Sequence, residues 1–406
     1  MTFQLAWRNI WRNPRRTGVI LTAVVVGVCG MVVLGALMEG VSRQMLHNAI
    51  STLAGSLQIH RDGYRSDPVV ENSIEDPEAV REALDRELPP GARWTERVRV
   101  NAVVNNARNS GGVTLVGMEP EREAAVSFIG EAVADGEYLA PDDDLGILVG
   151  AALAEDFDTE VGKRLVAMSQ DRTGEIASRA FTIRGIYRAE LESTEKRYAF
   201  VSISAAQKML RMDGAVSEFA VLLPETEAAE PVAERLRGAL PDQFSVHTWR
   251  ELLPLIEVQL QMTERFRGIW YLVVFIAMGF GIVNTMLMAV FERMWEFGLL
   301  KALGMKSGRI LREVLAESLI LLILGVAAGN LLALSIVAWL AHAGIDLAAF
   351  AAGAEFAGIS RVIYPSVRAG EILKANAVVL TLGLLVSVYP ALKAARFTPV
   401  EAMARR

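Results

Sequence analysis

The sequence predicts an α-helical membrane protein with four transmembrane helices and one large mixed α+β domain inserted after the first helix. Three observations predict this 1+3 arrangement: four uncharged apolar runs, a long polar block between the first two, and an uneven distribution of Lys and Arg among the connections. Each run has about 18 to 25 residues, enough for a helix to cross about 30 Å of hydrocarbon. The runs are Thr17–Met38, Gly268–Phe291, Ser318–Ile345 and Ala375–Leu392.

Composition narrows the class of protein further. Hydrophobic residues make up 52% of the chain and the mean hydropathy is +0.32. These values are too apolar for an ordinary soluble enzyme and too polar for a transporter made only of helices. Cys29 is the only cysteine, so no intrachain disulfide can form. A basic start before the first run resembles a signal peptide, but the run is too long for one, so we expect a retained anchor.

The basic residues of the short connections predict the orientation. They concentrate before the first run, between the second and third runs, and in the tail. The positive-inside rule therefore places both termini and the 292–313 loop in the cytoplasm and the polar block on the outer side of the membrane. By sequence count, that block has about 25 basic and about 39 acidic residues, which argues against nucleic acid as a partner. The predicted segments are an interfacial helix (1–16), four spans (17–38, 268–291, 314–345 and 375–392), the periplasmic domain (39–267), a cytoplasmic loop (292–313), a periplasmic loop (346–374) and a cytoplasmic tail (393–406).

Both connections to the periplasmic domain have helical spacing. Glu39–Leu53 continues the first run without a turn signal, and Trp249–Arg267 leads into the second. We expect stiff stalks, which transmit displacement where a Gly/Ser tether would absorb it. In the interfacial helix, one face carries Phe3, Trp7, Ile10 and Trp11, and Asn13-Pro14 breaks the helix before the first span.

Between the stalks, the pattern alternates between strand and helix composition. A strand-rich part, about 95–200, is predicted to form a lobe inserted into a strand–helix unit made of its flanks. Surface loops are predicted at Asp135–Asp144 and Leu191–Lys196. The predicted strands are Ser56–His60, Val98–Asn105, Val113–Gly117, Ile147–Val149, Arg164–Met168, Phe181–Tyr187, Ala199–Ser202, Val216–Leu222 and Phe244–His247; the predicted helices are Pro77–Leu88, Glu121–Ile129, Ala151–Phe157, Ala205–Leu210 and Ala228–Leu240.

No arrangement of residues predicts catalysis or metal binding. The four histidines, His47, His60, His247 and His342, lack metal-ligand spacing. There is no phosphate-binding G-x-x-x-x-G-K-[ST] loop, because Gly162-Lys163-Arg164 lacks both the upstream glycine and the following hydroxyl. We therefore expect no cofactor in this chain; if the protein uses ATP with Mg²⁺, a separate ATPase chain must bind them.

The cytoplasmic loop is the most specific stretch. Glu292, Arg293 and Glu296 can share one helical face, and an apolar ridge of Phe297, Leu300 and Leu303 follows before a turn at Gly304. One interpretation is a re-entry hairpin at the membrane interface. The other is a knob that docks its apolar ridge into a groove on a cytoplasmic partner.

These residues match a known family. ERMWEFGLLKALGM, residues 292–305, resembles the E-R-x-x-E-x-G-x-L-[RK]-A-L-G motif of the MacB/FtsX-like ABC permeases, which include the lipoprotein-releasing Lol permeases. The tail, 389–402, is similar to the closing Y-P-A-x-x-A-[AS]-[RK]-x-x-P-[VI]-E-A motif of the same family. The opening residues 5–16 and, in the polar block, Ile147–Gly150 with Val161–Lys163 also fit, so the resemblance extends over the whole chain.

The resemblance implies a fold, partners and a mechanism. The inserted domain would be a MacB-like periplasmic core domain, and two permease subunits, as a homodimer or heterodimer, would bind two copies of an ABC ATPase. Closure of the ATPases would reach the periplasm through the stalks, a mechanism called mechanotransmission. Met294-Trp295 and Phe297 are bulkier than the family's usual residues, which points to a dedicated ATPase. The implied ATPase-coupling residues are Glu292, Arg293, Glu296, Phe297, Gly298, Leu300, Lys301, Ala302, Leu303 and Gly304.

The first helix carries a methionine stripe of a/d spacing. Met31, Met38 and Met45 are seven residues apart, with Leu34 and Val41 between them. One hypothesis is that the stripe lines an apolar cavity for acyl chains at the centre of a dimer, because unbranched Met adapts its shape. Ordinary helix packing or lipid contact is the equal alternative.

Three further residues and the overall function complete the predictions. Gly325 and Gly329 allow close helix packing within the subunit, and Glu39 faces water or a partner at the outer edge of the first span. The predicted function is the permease subunit of a MacB/Lol-type ABC transporter that extracts or exports a lipoprotein, lipid or other amphiphile, with a possible periplasmic acceptor or adaptor. The alternative is an FtsX-like signalling permease that regulates a periplasmic cell-wall hydrolase and transports nothing.

Overall fold

The computed structural model describes residues 2–346 and 362–398, and within them the side chains of all but residues 2–6 and Arg16. The side chain of Phe3, most of the predicted 346–374 loop, and the tail motif from Pro399 onward lie outside this description. The chain divides into two compact units. Within the described residues, the helical unit comprises 2–43, 260–346 and 362–398, and the sheet unit comprises Gln44–Gln259.

In the described part of the chain, four helices are long and apolar enough to cross a membrane, as the four apolar runs predict. These helices are longer than the apolar runs, because the polar and charged residues that flank the runs are also helical. Pro14 starts the first long helix one residue after Asn13, where its missing N–H costs nothing. The helices of this part of the chain are α1 (Thr2–Arg12), α2 (Pro14–Ala49), α11 (Pro254–Glu292), α12 (Met294–Ala302), α13 (Ser307–Ala343) and α14 (Ala369–Arg396), with a two-stranded ribbon of β11 (Ile345–Asp346) and β12 (Val362–Ile363).

Close contact between α2 and α13 depends on two glycines. A Cβ added at Gly325 would lie 2.6 Å from Val24 Cγ1, and one added at Gly329 would lie 2.8 Å from Val28 Cβ. Both distances are too short for any side chain, so the glycines let the two helices approach as predicted.

The sheet unit is built on one ten-stranded sheet. The strands are ordered β10-β1-β9-β2-β3-β8-β5-β7-β4, and β6 pairs with β2 and β7. Two pairs are parallel, β3 with β8 and β5 with β7, and the other pairs are antiparallel. The strands are β1 (Leu57–Arg61), β2 (Arg93–Asn105), β3 (Ser110–Met118), β4 (Val133–Gly136), β5 (Gly146–Gly150), β6 (Arg164–Gln170), β7 (Ile176–Tyr187), β8 (Tyr198–Ser202), β9 (Glu218–Leu222) and β10 (Phe244–Thr248).

Nine of these strands are the predicted ones, while the way they join differs from the prediction. The segment 95–200 has no sheet of its own, because the long strand β2 pairs with β9 near its start and with β3 along the rest. Because β2 belongs to the predicted lobe and β9 to its flank, their pairing makes the lobe part of one common sheet. The helices of this unit are α3 (Glu78–Glu87), α4 (Pro120–Glu123), α5 (Ile129–Ala132), α6 (Ala151–Asp156), α7 (Glu192–Arg197), α8 (Ile203–Leu210), α9 (Ala229–Ala239) and α10 (Trp249–Leu252).

Three local predictions in this unit are wrong. The predicted helix Glu121–Ile129 is two short helices, α4 and α5, with a gap between them. The predicted loop Asp135–Asp144 begins inside strand β4. The predicted surface loop Leu191–Lys196 is helix α7, because the buried Glu195 carboxylate accepts hydrogen bonds from the Ala152 and Ala189 backbone amides. Each error comes from a tertiary contact that overrides local composition.

The two stalk segments are helical with one break each. Helix α2 continues to Ala49 and ends in a π-turn, Ile50–Ala54, in which Leu53 has φ +94°. In the second stalk, α10 ends at Leu252 and α11 starts at Pro254, which has no N–H to continue the preceding helix. Stalk helices are present as predicted, and the breaks lie next to the sheet.

Candidate functional site: the charged loop between the second and third long helices

The loop between α11 and α13 is a short helix with sharp ends. Helix α11 ends at Glu292, and α12 begins at Met294. After α12 the chain turns at Gly304, whose φ of +91° favours glycine, and the Gly304 and Met305 amides donate to the carbonyls of Lys301 and Leu300. The turn predicted at Gly304 is therefore present, and it closes α12 firmly.

Arg293 holds the start of this loop through a buried set of ion pairs. Its Nη1 donates to Glu317 Oε1 at 2.8 Å and Oε2 at 3.1 Å, and its Nε donates to Glu296 Oε2 at 3.2 Å. Its Nη2 lies 3.5 Å from Glu313 Oε1. Burial opposes the charged form of Arg293, but the carboxylates, Glu317 above all, outweigh it and raise its pKa. The guanidinium therefore stays charged and joins α12 to α13.

The first helix contributes to the same cluster. Arg12 forms an ion pair with Glu296, and Asn9 Nδ2 donates to Glu313 Oε1 at 3.1 Å. Burial raises the pKa of Glu296, but the two guanidinium groups, that of Arg12 first, lower it by more. Of the predicted interfacial face, Ile10 is buried in the helical core, whereas Trp7 and Trp11 are exposed. Helix α1 thus fixes the loop with its polar face as well as anchoring the chain.

The end of α12 is tied to the end of the last long helix. Lys301 Nζ donates to the Ala395 carbonyl at 2.6 Å and to the Phe397 carbonyl at 2.7 Å. A cation at this place satisfies carbonyls that have no helical partner. The tail motif and the loop motif of the sequence therefore meet in space, and the loop is held at both ends.

The apolar ridge of the loop differs from the predicted one. Phe297 is only 1% exposed and belongs to the helical core, so its predicted place on a docking ridge is wrong, and Leu300 is half-buried. The exposed apolar side chains are Trp295 (56%), Leu299 (40%) and Leu303 (77%), which have i, i+4, i+8 spacing and so share one helical face. That spacing was readable in the sequence, but the choice between two overlapping stripes required the fold. Of the remaining predicted coupling residues, Glu292, Ala302 and Gly304 are exposed and Gly298 is buried.

The residues of the methionine stripe lie in different environments in the structure. Met31 is fully buried in the helical core, so it cannot line a cavity between two subunits as predicted. Leu34, Met38 and Val41 are half-buried, and Met45 lines a cavity of the sheet unit. Close helix packing in the core explains why the heptad spacing does not produce one exposed face.

Glu39 was predicted to face water or a partner. Instead, its side chain is buried and is surrounded by arginines of the same chain. Its carboxylate lies 3.0 Å from Arg43, 3.2 Å from Arg368 and 3.5 Å from Arg267. Arg267 in turn lies 3.6 Å from Glu371. This cluster joins α2, α11 and the start of α14 within the helical unit.

The described side chains of the charged loop form ion pairs beside an exposed apolar stripe. Across residues 2–346 and 362–398, no group of three His, Cys, Asp or Glu side chains is placed to hold a metal ion. The Glu296 carboxylate of the loop forms ion pairs with Arg293 and Arg12. The loop is a short helix that ion pairs and hydrogen bonds hold at both ends and that exposes an apolar stripe.

Comparison with known proteins agrees with this description. The model of the MacB-like periplasmic core domain matches residues 17–239, and that of the FtsX-like permease C-terminal region matches residues 268–399. The lipoprotein-releasing system transmembrane protein LolC of Xylella fastidiosa is 27% identical over 52% of this chain and 53% of its own length. The pyoverdine export ATP-binding/permease protein PvdT of Pseudomonas syringae pv. tomato is 26% identical over 98% of this chain and 58% of its own.

The chain therefore spans a little over half the length of these two relatives. Among solved structures, the periplasmic region of MacB from Actinobacillus actinomycetemcomitans is 13% identical, with a TM-score of 0.36 over 52% of this chain and 97% of that one.

Proposed function

This chain belongs to the MacB/FtsX-like ABC transporter permeases, and from that premise we propose that it couples ATP hydrolysis on a partner subunit to movement of the sheet unit. The ATPase would be a separate ABC subunit that binds ATP and Mg²⁺. The permease itself would be embedded in a bacterial inner membrane as a dimer of two such subunits. Both termini and the charged loop would face the cytoplasm, and the sheet unit would face the periplasm.

The observation that carries the proposal is the exposed stripe of Trp295, Leu299 and Leu303 on a helix fixed at both ends. Trp is enriched among the residues that contribute most to binding at protein interfaces, and the two leucines extend the apolar contact area beside it. Because Arg293 and Lys301 hold the helix against α13 and α14, a push on the stripe moves the long helices and is not absorbed by the loop. Such a stripe suits the groove of an ATPase that closes and opens during its cycle.

The stalks suit the transmission of that movement. Helix α2 runs unbroken from Pro14 to Ala49, and α11 runs from Pro254 to Glu292. Continuous helices transmit an axial displacement better than flexible linkers do. At the end of the first stalk, the Leu53 carbonyl accepts hydrogen bonds from Arg97 and Gln58, so the joint to the sheet is tied by side chains.

We propose a lipoprotein, lipid or other amphiphile as the cargo. Two relatives are named for lipoprotein release and for pyoverdine export, so the family handles cargo of more than one kind. A periplasmic acceptor or adaptor would receive the cargo from the sheet unit.

The test is to co-express the chain with a candidate ABC ATPase subunit from the same organism and to measure co-purification and ATPase stimulation. Trp295→Asp and Leu303→Asp place a charge on the stripe and should weaken the complex by about thirtyfold or more, as expected for central interface residues. The matched control is Ile176→Asp, which places the same charge on an equally exposed apolar residue of β7 in the sheet unit. Full ATPase binding by both stripe variants would refute the proposed interface.

The same purified complex separates transport from the FtsX-like alternative. Transport predicts a bound lipid or lipoprotein that ATP releases. Signalling predicts a bound cell-wall hydrolase whose activity follows the ATPase cycle and no bound amphiphile. No contact in the described residues favours the signalling role, so transport is the proposal retained.

A further inference from the structure

A cavity of about 520 Å³ lies within the sheet unit, at the junction of the stalk ends with the sheet. All of its lining residues fall between residues 45 and 256. This volume is in the range of pockets that enclose a drug-sized molecule. Only Met45 of the predicted methionine stripe belongs to its wall.

The wall of the cavity combines cations with apolar side chains. Arg99 and Arg197 flank the ring of Tyr198, with their Cζ atoms 5.9 Å and 5.8 Å from its centroid, and Arg65 also lines the cavity. The apolar part of the wall is formed by side chains of the two stalk ends and of the loop before α7. It includes Met45, Leu53, Leu191, Leu252, Leu253 and Ile256.

The charges of the wall do not cancel. Among the described residues, Glu218 is the one carboxylate of the lining, and it is shared by Arg99 at 3.6 Å and by the fully buried Arg97 at 3.2 Å. Burial raises the pKa of Glu218, but Arg99 and Arg97 lower it by more, so Glu218 stays charged. Burial lowers the pKa of His60 to about 4, so this lining residue is neutral near pH 7. Among the described residues, Arg197 has no carboxylate partner, and Arg65 donates only to the Glu251 carbonyl.

A cationic cavity is unexpected in this part of the chain, where acidic residues outnumber basic ones. Arginine recognises carboxylate and phosphate through planar, charge-assisted hydrogen bonds. An apolar wall next to such a pair of guanidinium groups matches a molecule with an anionic head and a hydrocarbon part.

We propose that this cavity binds an anionic amphiphile, with its carboxylate or phosphate held by the lining arginines Arg65, Arg99 and Arg197 and its hydrocarbon part against the stalk-end side chains. The assignment of this ligand as cargo rests on the proposed function; the binding itself does not.

The experiment uses the full chain in lipid nanodiscs with diazirine-bearing dodecanoate, dodecyl phosphate and dodecylamine as probes. Cross-links are located by peptide mass spectrometry and normalised to those in the long helices, which corrects for partition into lipid. We expect cavity labelling, at peptides containing Met45 or Leu252, by one or both anionic probes and none by the amine. Labelling by dodecanoate alone identifies a carboxylate ligand, and labelling by dodecyl phosphate alone identifies a lipid-type phosphate.

The variants test the assigned cations. Arg197→Glu and Arg65→Glu should each reduce cavity labelling about tenfold or more, as loss of a hydrogen bond to a charged group implies. Arg164→Glu makes the same charge change at an exposed residue of β6 outside the cavity and should change nothing. Equal labelling in all three variants, labelling by the amine, no cavity labelling by either anion, or complete competition by inorganic phosphate would overturn the inference.

The outcome is separable from that of the proposed function. Cavity labelling requires no ATPase, and ATPase capture through Trp295 requires no ligand. Labelling that depends on Arg197 in a chain that binds no ATPase would uphold the site and refute the coupling, and the reverse result would do the opposite.

Discussion

Replacing Arg97 by methionine is expected to destabilise the sheet unit strongly. Arg97 is fully buried, and its Nη2 and Nε donate to the two carboxylate oxygens of Glu123 at 2.8 Å and 2.9 Å. Its Nη1 donates to the Leu53 carbonyl at 2.6 Å and to Glu218 at 3.2 Å. Arg97→Met would therefore leave the buried Glu123 carboxylate without its cation and would release the end of the first stalk from the sheet.

The magnitude follows from burial. Removing one partner of a buried ion pair costs about 3 to 5 kcal/mol. For a unit of this size, each kcal/mol lowers the unfolding midpoint by roughly 2 to 4 °C, so we expect a decrease of about 6 to 20 °C. Arg81→Met is the matched control, because Arg81 makes an equally close bidentate pair with Glu96 at 2.6 Å and 2.8 Å, but its side chain is 36% exposed. An exposed pair contributes about 1 kcal/mol or less.

The assay is thermal unfolding of the full chain in nanodiscs, together with hydrogen exchange of the amides between Ile50 and Leu57. Arg97→Met should speed exchange in this segment, because Leu53 loses its tie to the sheet. The double variant Arg97→Met/Glu123→Leu should recover part of the loss, since no unpaired carboxylate of Glu123 remains. Equal midpoints for Arg97→Met and Arg81→Met would refute the reasoning from burial, and unchanged exchange would refute the role of Arg97 in the joint.

Two further predictions test the interior of each unit. Because burial lowers the pKa of His60 to about 4 from 6.5, only the unfolded chain binds its proton between these values. The free energy of unfolding should therefore fall by about 3 kcal/mol as pH decreases from 6.5 to 4. In a plot of the unfolding midpoint against pH, His60→Gln should flatten the slope over this range. An unchanged slope would contradict the lowered pKa of His60. In the helical unit, Gly325→Ala should lower the midpoint because its Cβ would meet Val24 at 2.6 Å. Gly308→Ala, with nothing within 4 Å, is the control, and equal midpoints would show that α2 and α13 do not pack this closely.

The segments of the fold could be predicted from the sequence because they depend on local patterns. Apolar runs of span length, strand alternation and the glycine at 304 each act within about one element, and the family motifs add the order of the domains. Met31 and Phe297 show the limit. Both residues occur at regular apolar spacing. The spacing alone does not show whether the side chain faces the helical core or the surface, because that depends on which helix packs against it.

Pairing between distant residues was decided only by the tertiary structure. Nothing near Glu39 in the sequence indicates Arg267 or Arg368, and nothing near Arg97 indicates Leu53, Glu123 and Glu218 as partners. The cationic cavity arises in the same way, from β2, β8 and the helix end before β8, within an acidic segment. Periodicity reports which face of an element avoids water, whereas buried charge compensation depends on which elements meet, and that is set by the packing of the whole chain.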